Sequence, residues 1–169
     1  MTSGALLDVG GTGDTRAGMS QVVGKFHQYT RDGTLAYYVQ DVDPAVSMLN
    51  RSFTCNIADC PSLPSCAFDV VISHVVLEHV DVRRPWEAVR TIARATRPGG
   101  LSLHVVPFSH GFERILPHLF QDSGFEVLES SVHTATYCDD PLSMCRAEYQ
   151  CRFFAARRTG DAHGHGKTG

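Results

Sequence analysis

The sequence predicts an α/β fold whose mostly parallel sheet carries its functional groups along the carboxyl ends of the strands. Three observations lead there. First, the run Val70 to Ile72, after Asp69, is too short for a helix and free of Gly and Pro, so it reads as a strand buried on both faces. Second, it is followed by a helical pattern, the stop Arg97-Pro98-Gly99-Gly100 and another apolar run from Leu101 to Phe108, which together make a βαβ unit. Third, Ala5-Leu6-Leu7-Asp8-Val9 runs as a strand into the glycine-rich turn Gly10-Gly11-Thr12-Gly13-Asp14. In open parallel sheets ligands sit outside the carboxyl ends of the strands, which directs Ser73, His74 and His110 toward whatever is bound.

Each element has its own reason. The glycine turn lets a ligand approach the backbone, because Gly lacks a Cβ and tolerates positive φ. A helix from Met19 to about Thr30 follows, ending near Asp32-Gly33, with its N-terminal N–H groups suited to an anion or carboxylate. The second strand runs from Leu35 to Asp43, and Pro44 opens the next helix at a favoured first position. Asp43, and less so Asp41, stands where a carboxylate accepts the two ribose hydroxyls of an adenosine-containing cofactor. Asp43 is equally a good helix cap, and the two roles are compatible.

The third strand covers Ser52 to Ile57, and Ala58 to Pro64 form a loop. Asp59 could accept from an adenine amino group there or cap the turn. The crossover helix begins near Pro85, with Trp86, Ala88, Val89, Ile92, Ala93 and Ala95 as its buried stripe. Gly111 to Ser123 reads as a helix with Phe112, Ile115, Leu116, Leu119 and Phe120 inward, kinked or shortened by Pro117. Phe125 to Glu129 and Glu148 to Ala155 complete the sheet as antiparallel neighbours at one edge. Residues 1–158 form one domain, and the Gly/His-rich tail 159–169, with His163 and His165, is expected to be disordered.

Composition bounds the function. A net charge of −3 leaves no basic footprint for nucleic acid. No apolar run approaches the roughly 20 residues of a membrane span. The N-terminus lacks the pattern of a signal peptide, so a cytoplasmic setting is expected, with all six cysteines as reduced thiols. Cys55, Cys60 and Cys66, and Cys138, Cys145 and Cys151, are spaced too widely for structural zinc pairs and read as small buried hydrophobes. No metal site is expected.

Three segments, in this order, resemble class I S-adenosylmethionine-dependent methyltransferases: Leu7 to Gly13; Asp59 to Pro64 with Phe68 to Ser73 and Leu77-Glu78-His79-Val80; and Ile92 to Leu101. The resemblance covers about residues 5–157. It implies a Rossmann-like, doubly wound sheet of seven strands in the order 3-2-1-4-5-7-6, with an antiparallel edge. It implies S-adenosyl-L-methionine as cofactor, with Asp8, Gly10, Gly11 and Gly13 against its methionine end, Asp43 on the ribose, Asp59 and the Cys60 backbone at the adenine, and Ser73 and His74 near the sulfonium. Family members place helices before the first strand, and this chain starts at that strand. The expectation is therefore an open site, or one completed by a homodimer or a partner chain.

The expected reaction is methyl transfer to an O, N or C nucleophile of a small molecule. Its main requirements are orientation and desolvation, with one base near neutral pH, for which His110 and His74 are the candidates. Glu78 and His79 are read as structural. The loop Val132 to Cys145, with Tyr137 and Met144, is a candidate part of the substrate pocket. A non-catalytic relative acting through a partner is the alternative. An NAD(P)-dependent oxidoreductase fits poorly: in G-x-G-x-x-G counted from Gly11 and Gly13 the third glycine position is Arg16.

Overall fold

The computed structural model describes residues 4–11, 29–30, 32–80, 84–108, 111–137 and 147–160. Its strands are β1 (Gly4–Val9), β2 (Leu35–Asp41), β3 (Ser52–Thr54), β4 (Phe68–His74), β5 (Thr96–Pro107), β6 (Phe125–Tyr137) and β7 (Ala147–Arg158). Two α-helices are described, α1 (Pro85–Ala95) and α2 (Phe112–Asp122), with 3₁₀ turns at Pro44–Met48 and Leu77–His79. All seven strands join one sheet in the order β3-β2-β1-β4-β5-β7-β6. Strands β1 to β5 pair in parallel, and β7 runs antiparallel between β5 and β6. This is the Rossmann-like sheet that the sequence predicts.

Strand alternation divides the core. Leu7, Val9, Val71, Val106 and Phe154 share one face, where α1 lays Val89 and Ile92 and α2 lays Leu116 and Phe120. Leu6 and Ile72 point the other way, with Leu103 and Val70 against them. Helix α1 starts on Pro85, whose missing N–H costs nothing at a first helical position. It passes into β5 at Thr96 with no intervening loop, because the Thr96 hydroxyl and N–H both turn back to the Ile92 carbonyl.

Several expectations need correction. The helix opened by Pro44 is only a 3₁₀ turn, and β3 stops at Thr54. Trp86 and Ile115 are exposed at the margins of their apolar stripes. Pro117 does not end α2, which continues to Asp122. Arg97-Pro98-Gly99-Gly100 lies inside β5, with Gly99 at φ +80°, so the helix stop is also the strand's entry. Strands β6 and β7 are far longer than their cores of alternation, and Val132 to Tyr137 belong to β6 rather than to a loop. Of the expected helix from Met19, only Tyr29 and Thr30 are described, and both are helical. Residues 138–146, including Met144, lie outside the described residues, as do 161–169 of the tail; Thr159 still donates to Gly124 O.

Candidate active site

The carboxyl ends of the parallel strands β1 to β5 form one edge of the sheet, and the described site candidates lie at or after these ends. Strand β1 delivers Asp8 there, nearly fully buried. Its Oδ2 accepts a hydrogen bond from the Tyr37 hydroxyl of β2 at 2.7 Å. Burial nevertheless raises the Asp8 carboxyl from 3.8 to about 6, the Tyr37 bond only opposing it. Burial also raises the Tyr37 phenol, with the Asp8 charge acting in the same direction.

The turn after β1 requires its glycines. Gly10 has φ +72°, and a Cβ there would collide with the Val76 side chain. A Cβ on Gly11 would enter the Asp8 carboxylate. Gly10 N–H donates to Gln40 O at 2.6 Å, tying the turn to β2. Gly13 lies outside the described residues, as does His110.

At the end of β2, the exposed Asp43 caps the 3₁₀ turn, its Oδ1 accepting from Ala45 N at 2.8 Å. Asp41 Oδ1 accepts from Asp43 N at 2.9 Å, which holds Asp43 at the tip of the strand. Beyond β3, Asp59 and Asn56 form a short antiparallel bridge, and Asp59 N donates to Asn56 O at 2.8 Å. Cys60 follows and is buried, its carbonyl accepting from Arg94 of α1 at 2.8 Å. The expectation of six thiols is corrected here: Cys55 and Cys60 are joined by a disulfide, because the turn brings their Cα atoms to 5.3 Å. Of the other described cysteines, both free, Cys151 is buried and Cys66 is exposed, against the expectation that it packs inside.

Strand β4 ends in Ser73 and His74. The Ser73 hydroxyl is turned inward and bonds His104 Nδ1 at 2.7 Å, while Ser102 Oγ lies 2.7 Å from His104 Nε2. This buried Ser–His–Ser chain engages the Ser73 hydroxyl within the core. Burial lowers the His104 imidazole to about 3, so the ring is neutral. Sequence reasoning missed His104; its position in β5, alternating with Ser102 and Val106, was the available signal. His74 is partly buried, and burial lowers its imidazole, so its neutral form, the one that accepts a proton, dominates at neutral pH.

The chain leaves β4 through Val75 at φ 55°, an outlier for a β-branched residue. Glu78 follows in the 3₁₀ turn, with burial pushing its carboxyl up to about 7. The exposed His79 beside it has no core role. Among the described residues, no three His, Cys, Asp or Glu side chains gather as a metal site, and no helix is long and apolar enough to cross a membrane.

A seven-stranded sheet in this order, with a glycine turn on β1, is the class I methyltransferase architecture. Residues 7–103, more than half of the chain, match the family profile described as methyltransferase domain, and the chain belongs to that family. Solved structures agree in fold. A structure concerned with converting a disulfide bond into a thioacetal group during echinomycin biosynthesis superposes with a TM-score of 0.67 at 16% identity, covering 92% of this chain and 76% of that one. An S-adenosylmethionine-dependent methyltransferase from Methanosarcina mazei gives 0.66 at 12% identity over 94% of each chain. The 1,6-didemethyltoxoflavin-N1-methyltransferase of Burkholderia thailandensis, solved with bound 1,6-didemethyltoxoflavin and S-adenosylhomocysteine, gives 0.61 at 15% identity over 92% of this chain and 71% of that one. A search of curated protein sequences found no match.

Proposed function

We propose that the protein is an S-adenosylmethionine-dependent methyltransferase that methylates an O, N or C nucleophile of a small molecule. The observation that carries this reading is the buried Asp8 carboxylate beneath a turn whose Gly10 and Gly11 have no room for side chains. A buried carboxylate under a turn held to glycine by the close approach of Val76 and Asp8 suits a ligand that presents an ammonium to the carboxylate and its polar groups to the turn's backbone. The methionine end of the cofactor is such a ligand, and the donor set therefore fits it.

When bound, the cofactor supplies a methyl group on a good sulfonium leaving group. The remaining tasks fall to the chain. Asp8 holds the ammonium, with Tyr37 fixing its carboxylate. Asp43, anchored by Ala45 and Asp41, offers its second oxygen to the ribose, and Asp59 with the Cys60 backbone meets the adenine. His74, neutral at physiological pH, accepts the proton of the nucleophile; His110 is the other candidate for that task. Residues 1–158 constitute the methyltransferase domain.

Calorimetry with S-adenosylmethionine and S-adenosylhomocysteine tests the reading, with NADH as control. Micromolar binding that is lost in Asp43→Asn, a substitution that keeps the cap, is the expected result. No heat with either nucleoside would overturn it.

A further inference from the structure

The segment after β4 holds a group that the proposed reaction does not yet use. Val75 N donates to Val105 O at 2.9 Å, pinning the strained residue against β5. Val76 fills the space over Gly10, so the next turn begins against the glycine loop itself. Leu77 anchors that turn in the core, and Glu78 follows with a side chain only 4% exposed. Neither carboxylate oxygen of Glu78 reaches a hydrogen-bond partner outside its own residue, and its own backbone N–H is the one group that opposes the effect of burial. Its one ionic contact among the described residues is to His79, whose Nε2 lies 3.7 Å from Oε1 on a side chain 74% exposed, where water screens the pair.

A buried carboxylate without partners is expensive, and stability alone gives no reason to keep one. Backbone strain at Val75 and the contact of Val76 with Gly10 place its turn where such costs serve function. The neighbouring strand leads to a related group. Glu113, in the first turn of α2 after β5, is buried; its Oε1 lies 3.5 Å from Arg114 Nε, and its Oε2 has no partner. Strands β4 and β5 are adjacent and parallel, so both carboxylates follow strand ends on the same edge. An anionic acceptor would be repelled there, and a cation would supply the partner that Glu78 lacks.

We propose that Glu78 receives the nitrogen of the methyl acceptor, and that the substrate is an amine which enters protonated. This rests on the methyltransferase reading and narrows its acceptor class. For such a substrate the proton that His74 or His110 would otherwise take passes from the ammonium to a Glu78 oxygen, restoring the nitrogen lone pair. That pair forms the new N–CH3 bond as the methyl–sulfur bond breaks and its electrons leave on the neutral thioether. The product departs as the methylated ammonium, and Glu78 returns its proton to solvent. A carboxyl that titrates near neutrality matches this exchange.

The test uses the full chain saturated with S-adenosylhomocysteine, whose binding is first established by calorimetry. Thermal unfolding is then followed with benzylamine, phenethylamine and butylamine, and with the alcohols and carboxylic acids of the same skeletons. At least one amine should raise the midpoint while its alcohol and acid do not, and Glu78→Gln should abolish the shift with nucleoside affinity unchanged. The substitution should also stabilise the ligand-free protein at about pH 8, where the buried charge is otherwise unpaired. No response of the wild type to any amine, an equal response to the alcohols, or an undiminished shift in Glu78→Gln overturns the assignment. So does a loss of nucleoside binding confined to the variant. If Glu78→Gln does not fold, Glu78→Met takes its place; if neither folds, the carboxylate is structural and the inference fails. Absence of nucleoside binding in the wild type is a separate result, and it overturns the underlying reading instead.

Discussion

The Tyr37 hydroxyl reaches diagonally from β2 to Asp8 Oδ2 at 2.7 Å, so the carboxylate at the end of β1 is fixed from the neighbouring strand. A hydrogen bond to a charged, buried acceptor is worth about 1.5–3 kcal/mol. Tyr37→Phe is therefore expected to weaken S-adenosylmethionine binding by about tenfold or more at neutral pH. It should also raise the Asp8 titration further above its ordinary range. Calorimetry and carbon-13 NMR of the carboxyl read the two effects, and unchanged values for both would show that Tyr37 merely packs.

Asp8 also sets a pH dependence. Its proton leaves near 3.8 in the unfolded chain and at about 6 in the fold. Between these values the folded state binds more protons, so this group's contribution falls as pH rises through the window, by about 3 kcal/mol. Asp8→Asn should match the wild type near the bottom of that window and exceed its stability above the top. Urea unfolding across the range measures the difference, and a pH-independent offset would contradict it.

His104 works in the opposite sense. Its imidazole titrates at about 3 in the fold against 6.5 when free, so stability from this site is full above the free value and is lost as pH falls toward the folded one. His104→Leu leaves the Ser73 and Ser102 hydroxyls buried without a partner, at about 1–3 kcal/mol each. The loss should be largest at neutral pH and shrink on acidification. A substitution cost that is constant with pH would argue against a buried neutral ring.

The Cys55–Cys60 disulfide closes a ring of five intervening steps around Asp59. Loop-closure entropy for so short a ring amounts to about 2 kcal/mol. Dithiothreitol should lower the unfolding midpoint of the wild type and leave that of the Cys55→Ser, Cys60→Ser double variant unmoved. Alkylation followed by mass measurement reports whether the two sulfurs are protected in the native protein.

Much of the fold was legible because it is written in short-range signals. The run Val70–Ile72, the Pro85 start and Gly99-Gly100 each announce an element through local sterics, and the strand order followed from the family resemblance. The site was legible where backbone demands it, at Asp8, Gly10 and Gly11. What escaped depends on partners distant in sequence. The Ser73 hydroxyl could be assigned outward only while His104, thirty-one residues on, was unaccounted for. Glu78 read as structural because its burial in a short 3₁₀ turn after β4 is something no periodicity reveals. Likewise, Trp86 and Ile115 sit at stripe margins, where a few degrees of helix rotation decide exposure.

The direct junction of Ala95 and Thr96 leaves this chain two unequal places to grow. An added residue between them would turn Leu103 and Val106 to each other's faces, since a single-residue slip inverts a strand. At Gly99, where φ is already positive and no atom lies within 4 Å of a Cβ position, an extra residue can bulge outward and leave the register intact. Length variation among relatives should therefore collect at the glycine pair and spare the helix–strand seam.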